Sequence, residues 1–198
     1  TVELSRQKCF QYWPKSGTSI FSDLDQAHSF GFASENSLDE VEAHANEKFQ
    51  RAGNFTITKV HCVNTENYAK SLLRIKFSKT GEERNVHHYA FNSWPDHGVP
   101  KDTTCLLDLL SSVNSTYLCH LQRHHGYTSV YDQEVPPPPI VVHCSAGIGR
   151  TGTFISLDIC TKALSDGIQM RKENEKVTLK INVPLTVARI RAQRAGCV

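Results

Sequence analysis

The 198-residue sequence is short of the features that would place it outside ordinary globular proteins. No stretch approaches the ~18 consecutive apolar residues needed to span a membrane, and Thr1-Val2-Glu3-Leu4 has no signal-peptide layout. No run of Lys and Arg appears, and 22 basic residues nearly balance 20 acidic ones. A nucleic-acid partner is therefore not expected. Seven cysteines, Cys9, Cys62, Cys105, Cys119, Cys144, Cys160 and Cys197, form no CxxC pair and no even framework. Free thiols in a reducing, cytoplasmic setting fit that usage better than a disulfide scaffold. The sequons at Asn54 and Asn114 then carry no glycan. There is no internal repeat and no initiator methionine, which suggests a piece of a longer chain. What remains is one domain's length of chain with 39% apolar residues, enough for a sizeable core.

Periodicity supplies both strands and helices. Residues 1–13 read as a strand running into a turn at Tyr12-Trp13-Pro14, whereas 15–53 lose strand character and read as a long, partly disordered insertion. Phe55 to Val63, the alternating Leu73, Ile75 and Phe77, and Val86 to Phe91 predict an antiparallel meander with a turn at Lys79-Thr80-Gly81-Glu82. Asp102 stands as a cap before Leu106, Leu110, Val113, Tyr117 and Leu121 at helical spacing. Gly126 to Pro139 is a loop, because four successive prolines suit neither a helix nor a central strand. A buried helix through Phe154, Leu157, Ile159 and Leu164 is expected to end before Asp166-Gly167. A charged connection over 168–181 then leads to a last helix from Asn182 to Arg194. Periodicity alone leaves α/β and α+β open.

One string carries chemistry: Val142-His143-Cys144-Ser145-Ala146-Gly147-Ile148-Gly149-Arg150-Thr151-Gly152, following the apolar run Ile140-Val141-Val142. It predicts strand, glycine loop and helix start. A helix start exposes unpaired N–H groups and partial positive charge, which suit a phosphate. Glycines allow consecutive N–H groups to turn inward as a nest. Arg150 adds a bidentate fork. The same field favours thiolate at Cys144 and makes it a nucleophile aimed at phosphorus. A leaving alkoxide or phenoxide needs a proton. Trp94-Pro95-Asp96-His97-Gly98-Val99-Pro100 offers one, with Asp96 as acid, Trp94 as anchor of the loop base and Gly98 as hinge. Alone, Pro-Asp-x-Gly is an ordinary turn; the cysteine loop gives it a different meaning.

Together these strings resemble the classical protein tyrosine phosphatases over most of the chain, weakly at 15–53 and 122–137. Lys8-Cys9-Phe10-Gln11-Tyr12-Trp13-Pro14 resembles the family's KCxQYWP segment, and Arg191 with Arg194 resembles the arginine pair preceding its glutamine loop. The resemblance implies an α/β fold with a twisted mixed β-sheet flanked by helices, here as a partial catalytic domain spanning 1–198. It implies phosphotyrosine-containing proteins as substrates, met in the cytoplasm or by the cytoplasmic portion of a receptor, and a cysteinyl-phosphate on Cys144. Asp96 would act as acid and then base, and Arg150 with the N–H groups of Ser145, Ala146, Gly147, Ile148, Gly149 and Arg150 would hold the phosphoryl group. Thr151 would ease departure of the thiolate, His143 would orient the loop, Glu3 would pair with Arg150 and Lys8 would lie near the acid loop. Neither a metal nor another cofactor is implied. Family members begin earlier, with a tyrosine that stacks on the substrate, and continue to a glutamine expected just after Val198. An internal fragment is therefore expected, and a phosphotyrosine-binding module without turnover is the alternative reading. A dual-specificity phosphatase is disfavoured by the tryptophan-containing acid loop. Three further features carry less weight. Cys119, His120, His124 and His125 lack a completing carboxylate for a metal. One of His87 and His88 reads as a packed histidine, and Pro136 to Pro139 as a stiff loop rather than an SH3 ligand.

Overall fold

A computed structural model describes residues 2–3, 6–7, 11–21, 55–94, 98–100, 102–125, 138–176, 178 and 180–198; of these, 2–3, 6–7, 20–21 and 124–125 are described in backbone only. The chain divides into two units, at residues 2–101 and 102–198.

The first unit is built from strands. β1 (Val2–Glu3) and β2 (Arg6–Gln7) form a small antiparallel pair. β3 (Thr18–Phe21), β4 (Phe55–Asn64), β5 (Tyr68–Phe77) and β6 (Glu83–Phe91) form a four-stranded sheet in that order. Every described pairing is antiparallel, as the meander predicts. Thr65 closes the first hairpin, its Oγ1 donating to Tyr68 O at 2.8 Å and accepting from Tyr68 N at 3.0 Å. Gly81, at φ 71°, takes the left-handed position of the second turn, which a side chain would strain. Between Lys59 and His61 the register slips by one, so Val60 is a bulge and stands exposed. Ile57 and Leu73 point to the buried face at 8% and 2% exposure.

β3 lies where the sequence reads as loop. Four residues, Thr-Ser-Ile-Phe, are too few for period-two alternation to register. Pairing with the much longer β4 supplies their hydrogen bonds, supported by Thr18 Oγ1 against Thr58 Oγ1 at 3.0 Å. Residues 22–54, most of the expected insertion, fall outside the described residues.

The second unit is helical. α1 (Thr104–His125) begins where predicted. Asp102 accepts from Thr104 N at 2.9 Å and also from the Thr104 hydroxyl. α1 buries Cys105, Leu106, Leu109, Leu110 and Leu121, and each fully buried leucine is worth about 1.5–3 kcal/mol. α2 (Gly149–Glu173) continues past Asp166-Gly167 for almost two further turns, so the charged connection starts later than expected. A mid-helix glycine costs only about 1 kcal/mol against alanine. The helix formers around it offset that cost, as does a contact between Gln169 and Glu173 one turn apart. α3 (Val183–Gln193) matches its prediction, with Asn182 Oδ1 accepting from Leu185 N at 3.0 Å and Pro184 in the first turn.

Two contacts tie these helices to the chain around the cysteine loop. Asn114 Nδ2 donates to Asp158 Oδ1 at 2.9 Å, joining α1 to α2, and the Tyr117 hydroxyl donates to Pro138 O at 2.9 Å. Ile140-Val141-Val142, predicted as a strand, has no regular secondary structure. A strand exists only with a neighbour to pair with, and the described residues of this unit contain no other strand. No helix among the described residues is long and apolar enough to cross a membrane.

Candidate active site

The loop between Val142 and α2 is shaped by its glycines and by what lies behind it. Gly147 sits at φ 69°, a left-handed conformation open to glycine at little cost. Ile148 is the N-cap of α2 and offers no side-chain cap, so the first amides of the helix have no partner from that residue's side chain. Gly152, buried in the first turn, donates to Ile148 O at 2.7 Å. A Cβ there would lie 2.5 Å from Val198 N, so the backbone of α2 here packs directly against the backbone of the 194–198 turn.

Cys144 is half-buried at the mouth of the loop. Burial pushes its thiol up, but hydrogen bonding wins. The Thr151 hydroxyl and the backbone N–H groups of Thr151, Gly147 and Ile148 favour the thiolate and hold the pKa below the ordinary thiol value. Thr151 Oγ1 is buried and meets no partner in ordinary hydrogen-bond geometry. His143 is exposed, and its Nδ1 lies 3.1 Å from Cys144 O, where an Nδ1–H tautomer donates to that carbonyl. Ser145, Ile148 and Arg150 are half-buried, while Ala146 and Gly149 are exposed. A thiol lowered in this way, beside three backbone N–H donors, is chemically suited to act as a nucleophile.

The back of the loop is closed by a feature to which the sequence reading gave no role. Arg194 donates from Nε to Gly147 O at 2.9 Å and from Nη2 to Ala146 O at 3.3 Å. Arg191 donates to Cys197 O and Val198 O, both at 2.8 Å, and Val198 N reaches Ile148 O at 3.4 Å. Cys197, 1% exposed, is packed beneath. The arginine pair and Gly196, at φ 75°, were the available sequence signal.

The remaining predicted residues belong to the other unit. Trp94 Nε1 donates to Gly98 O at 3.0 Å, closing the base of the segment between them. Gly98 has φ 87°. Pro95, Asp96 and His97 lie outside the described residues, as does Lys8. Glu3 falls in β1, and its side chain is outside them too. His88 is the packed histidine: its ring lies 4.6 Å from Trp13 and 5.8 Å from Tyr12, centroid to centroid. Of the Cys119–His125 group, only the side chains of Cys119 and His120 are described.

Comparison with known proteins gives the family. The family model described as protein-tyrosine phosphatase matches residues 33–198. Tyrosine-protein phosphatase non-receptor type 9 of Rattus norvegicus is 37% identical over 196 residues, covering 98% of this chain and 25% of that protein. Tyrosine-protein phosphatase corkscrew of Drosophila virilis is 33% identical over 202 residues, covering 100% and 19%. Tyrosine-protein phosphatase non-receptor type 14 of Homo sapiens is 30% identical over 192 residues, covering 97% and 12%. The chain thus spans a quarter or less of the length of these curated relatives. A cysteine loop of this construction, in a chain matched over most of its length by that family model, makes the chain a member of the protein-tyrosine phosphatase family.

Proposed function

We propose that the chain is a partial catalytic domain, spanning 1–198 with a long insertion at 15–53, and that it hydrolyses phosphotyrosine in proteins. The observation that carries this reading is the hydrogen-bonded, half-buried Cys144 thiol, held low by the loop amides and Thr151. In the first step the Cys144 thiolate attacks phosphorus and the P–O bond to the tyrosyl oxygen breaks. Asp96 gives its proton to the departing phenolate. In the second, water attacks the cysteinyl-phosphate, Asp96 takes the water's proton and the P–S bond breaks to regenerate thiolate. Arg150 and the N–H groups of residues 145–150 hold the equatorial oxygens, and Thr151 stabilises the departing sulfur. These groups supply the charge that a metal would otherwise bring. His143 fixes the loop through the Cys144 carbonyl; the resemblance assigns Glu3 to Arg150, and Trp94 and Lys8 to the acid loop.

The printed names of the relatives, non-receptor phosphatases among them, support a cytoplasmic setting and a part in phosphotyrosine signalling. The test is a rate comparison on matched phosphotyrosyl and phosphoseryl peptides, with peptide binding measured in parallel. Turnover of phosphotyrosine alone is expected. Binding without turnover would replace this reading by a recognition module, and equal rates on both peptides would replace it by a dual-specificity enzyme.

A further inference from the structure

Two of the amides that face the Cys144 sulfur belong to peptide units whose opposite ends are gripped by a single side chain. Gly147 N–H and Ile148 N–H both lower the Cys144 pKa. The carbonyls across those same two peptide planes are Ala146 O and Gly147 O. Both accept from the Arg194 guanidinium, at 3.3 and 2.9 Å. A trans peptide is planar, so fixing the direction of C=O fixes the N–H on its other side. A cation on the carbonyl side also strengthens the donor on the N–H side, because chained hydrogen bonds polarise one another. Gly147 suits this clamp twice over. Its left-handed backbone turns the two planes the same way, and a Cβ there would stand 3.2 Å from Arg194 Nη2. Arg191, one turn earlier on α3, grips the carbonyls of Cys197 and Val198 instead, so the two arginines have separate tasks.

We propose that Arg194 is a positioning residue for the phosphate loop: it aims the Gly147 and Ile148 amides at the Cys144 sulfur and at the phosphoryl group by holding their peptide planes from behind. This rests on the reading of the loop as a phosphate site. A fork is required because two carbonyls are held at once; lysine keeps the charge but loses the geometry.

The test uses the whole chain with Arg194→Met and Arg194→Lys. The readouts are inorganic tungstate affinity, the pH dependence of Cys144 alkylation by iodoacetamide, and thermal melting. Wild type should bind tungstate and alkylate with a midpoint below that of a free thiol. Arg194→Met should bind tungstate roughly tenfold or more weakly, the size expected for losing charge-assisted hydrogen bonds, and its alkylation midpoint should rise. Arg194→Lys should fall between the two, and it serves as the test variant if Arg194→Met does not fold. A lower melting temperature with unchanged tungstate affinity and unchanged alkylation midpoint would overturn the proposal and leave Arg194 a structural brace. Failure of the wild type itself to bind tungstate would instead overturn the underlying reading of the loop.

Discussion

Replacing Gly152 with alanine tests how the helix that follows the cysteine loop is seated. The new Cβ would lie 2.5 Å from Val198 N, 3.0 Å from Val198 Cγ2 and 3.2 Å from Cys197 C. Two of these three atoms are backbone, so no rotamer change relieves the contact. The 194–198 turn must move away from α2, stretching the Val198 N to Ile148 O bond and the Arg191 bonds to Cys197 O and Val198 O. Overpacking of this kind costs about 1–3 kcal/mol. For a chain of this size that is a melting shift of roughly 2–12 °C. Gly149 is the matched control. Its Cβ would meet nothing within 4 Å, and it begins α2 with an ordinary helical backbone. Gly149→Ala should therefore melt at or slightly above wild type, alanine being the better helix former. Thermal denaturation followed by circular dichroism reads both. Equal melting temperatures for Gly152→Ala and wild type, or an equal drop for both alanine variants, would refute the packing argument.

The other predictions concern charge and proton transfer. Thr151→Val keeps the shape but removes a donor to the Cys144 sulfur, so the pH midpoint of Cys144 alkylation should move up; an unmoved midpoint would take Thr151 out of the tuning. Because the folded thiol lies below its ordinary value of about 8.5, its contribution to stability is complete above that pH and fades as pH falls through the folded value. Chemical denaturation of wild type against Cys144→Ser should show their gap closing on acidification across that window. Asp96→Ala should trap phosphotyrosyl peptide while slowing phenolate departure, and loss of peptide binding would make Asp96 structural instead. The Thr104 hydroxyl and N–H hold the Asp102 carboxyl below the usual carboxylate range. Its support of α1 should persist above about pH 3.9 and disappear as pH falls through the folded value. Acid titration of Asp102→Asn, compared with wild type, should lack that step.

What the sequence revealed depended on how local the signal was. β4, β5 and β6 were visible because strands of nine or ten residues alternate long enough to show their period and end in recognisable turns. α3 was visible because Asn182 and Pro184 are both chemical start signals. β3 was not, since its four residues are a strand only through β4. The end of α2 was misjudged because Asp-Gly signals a turn only when nothing beyond it favours helix. Ile140-Val141-Val142 shows the reverse failure: apolar and β-branched, it has strand propensity without a described partner. At the site, Cys144, Thr151 and the glycines were legible because their chemistry lies within one short string. The Arg194 clamp was not, because 44 residues separate Arg194 from Arg150 and only folding brings it behind the loop.

The central claim is that Cys144 carries the phosphoryl group. Rapid acid quenching of the chain with a phosphotyrosyl peptide, followed by peptide mapping by mass spectrometry, measures this directly. One phosphoryl group on the peptide containing Cys144, and none in Cys144→Ser, is the predicted result. Phosphotyrosine turnover that persists in Cys144→Ser would contradict the account.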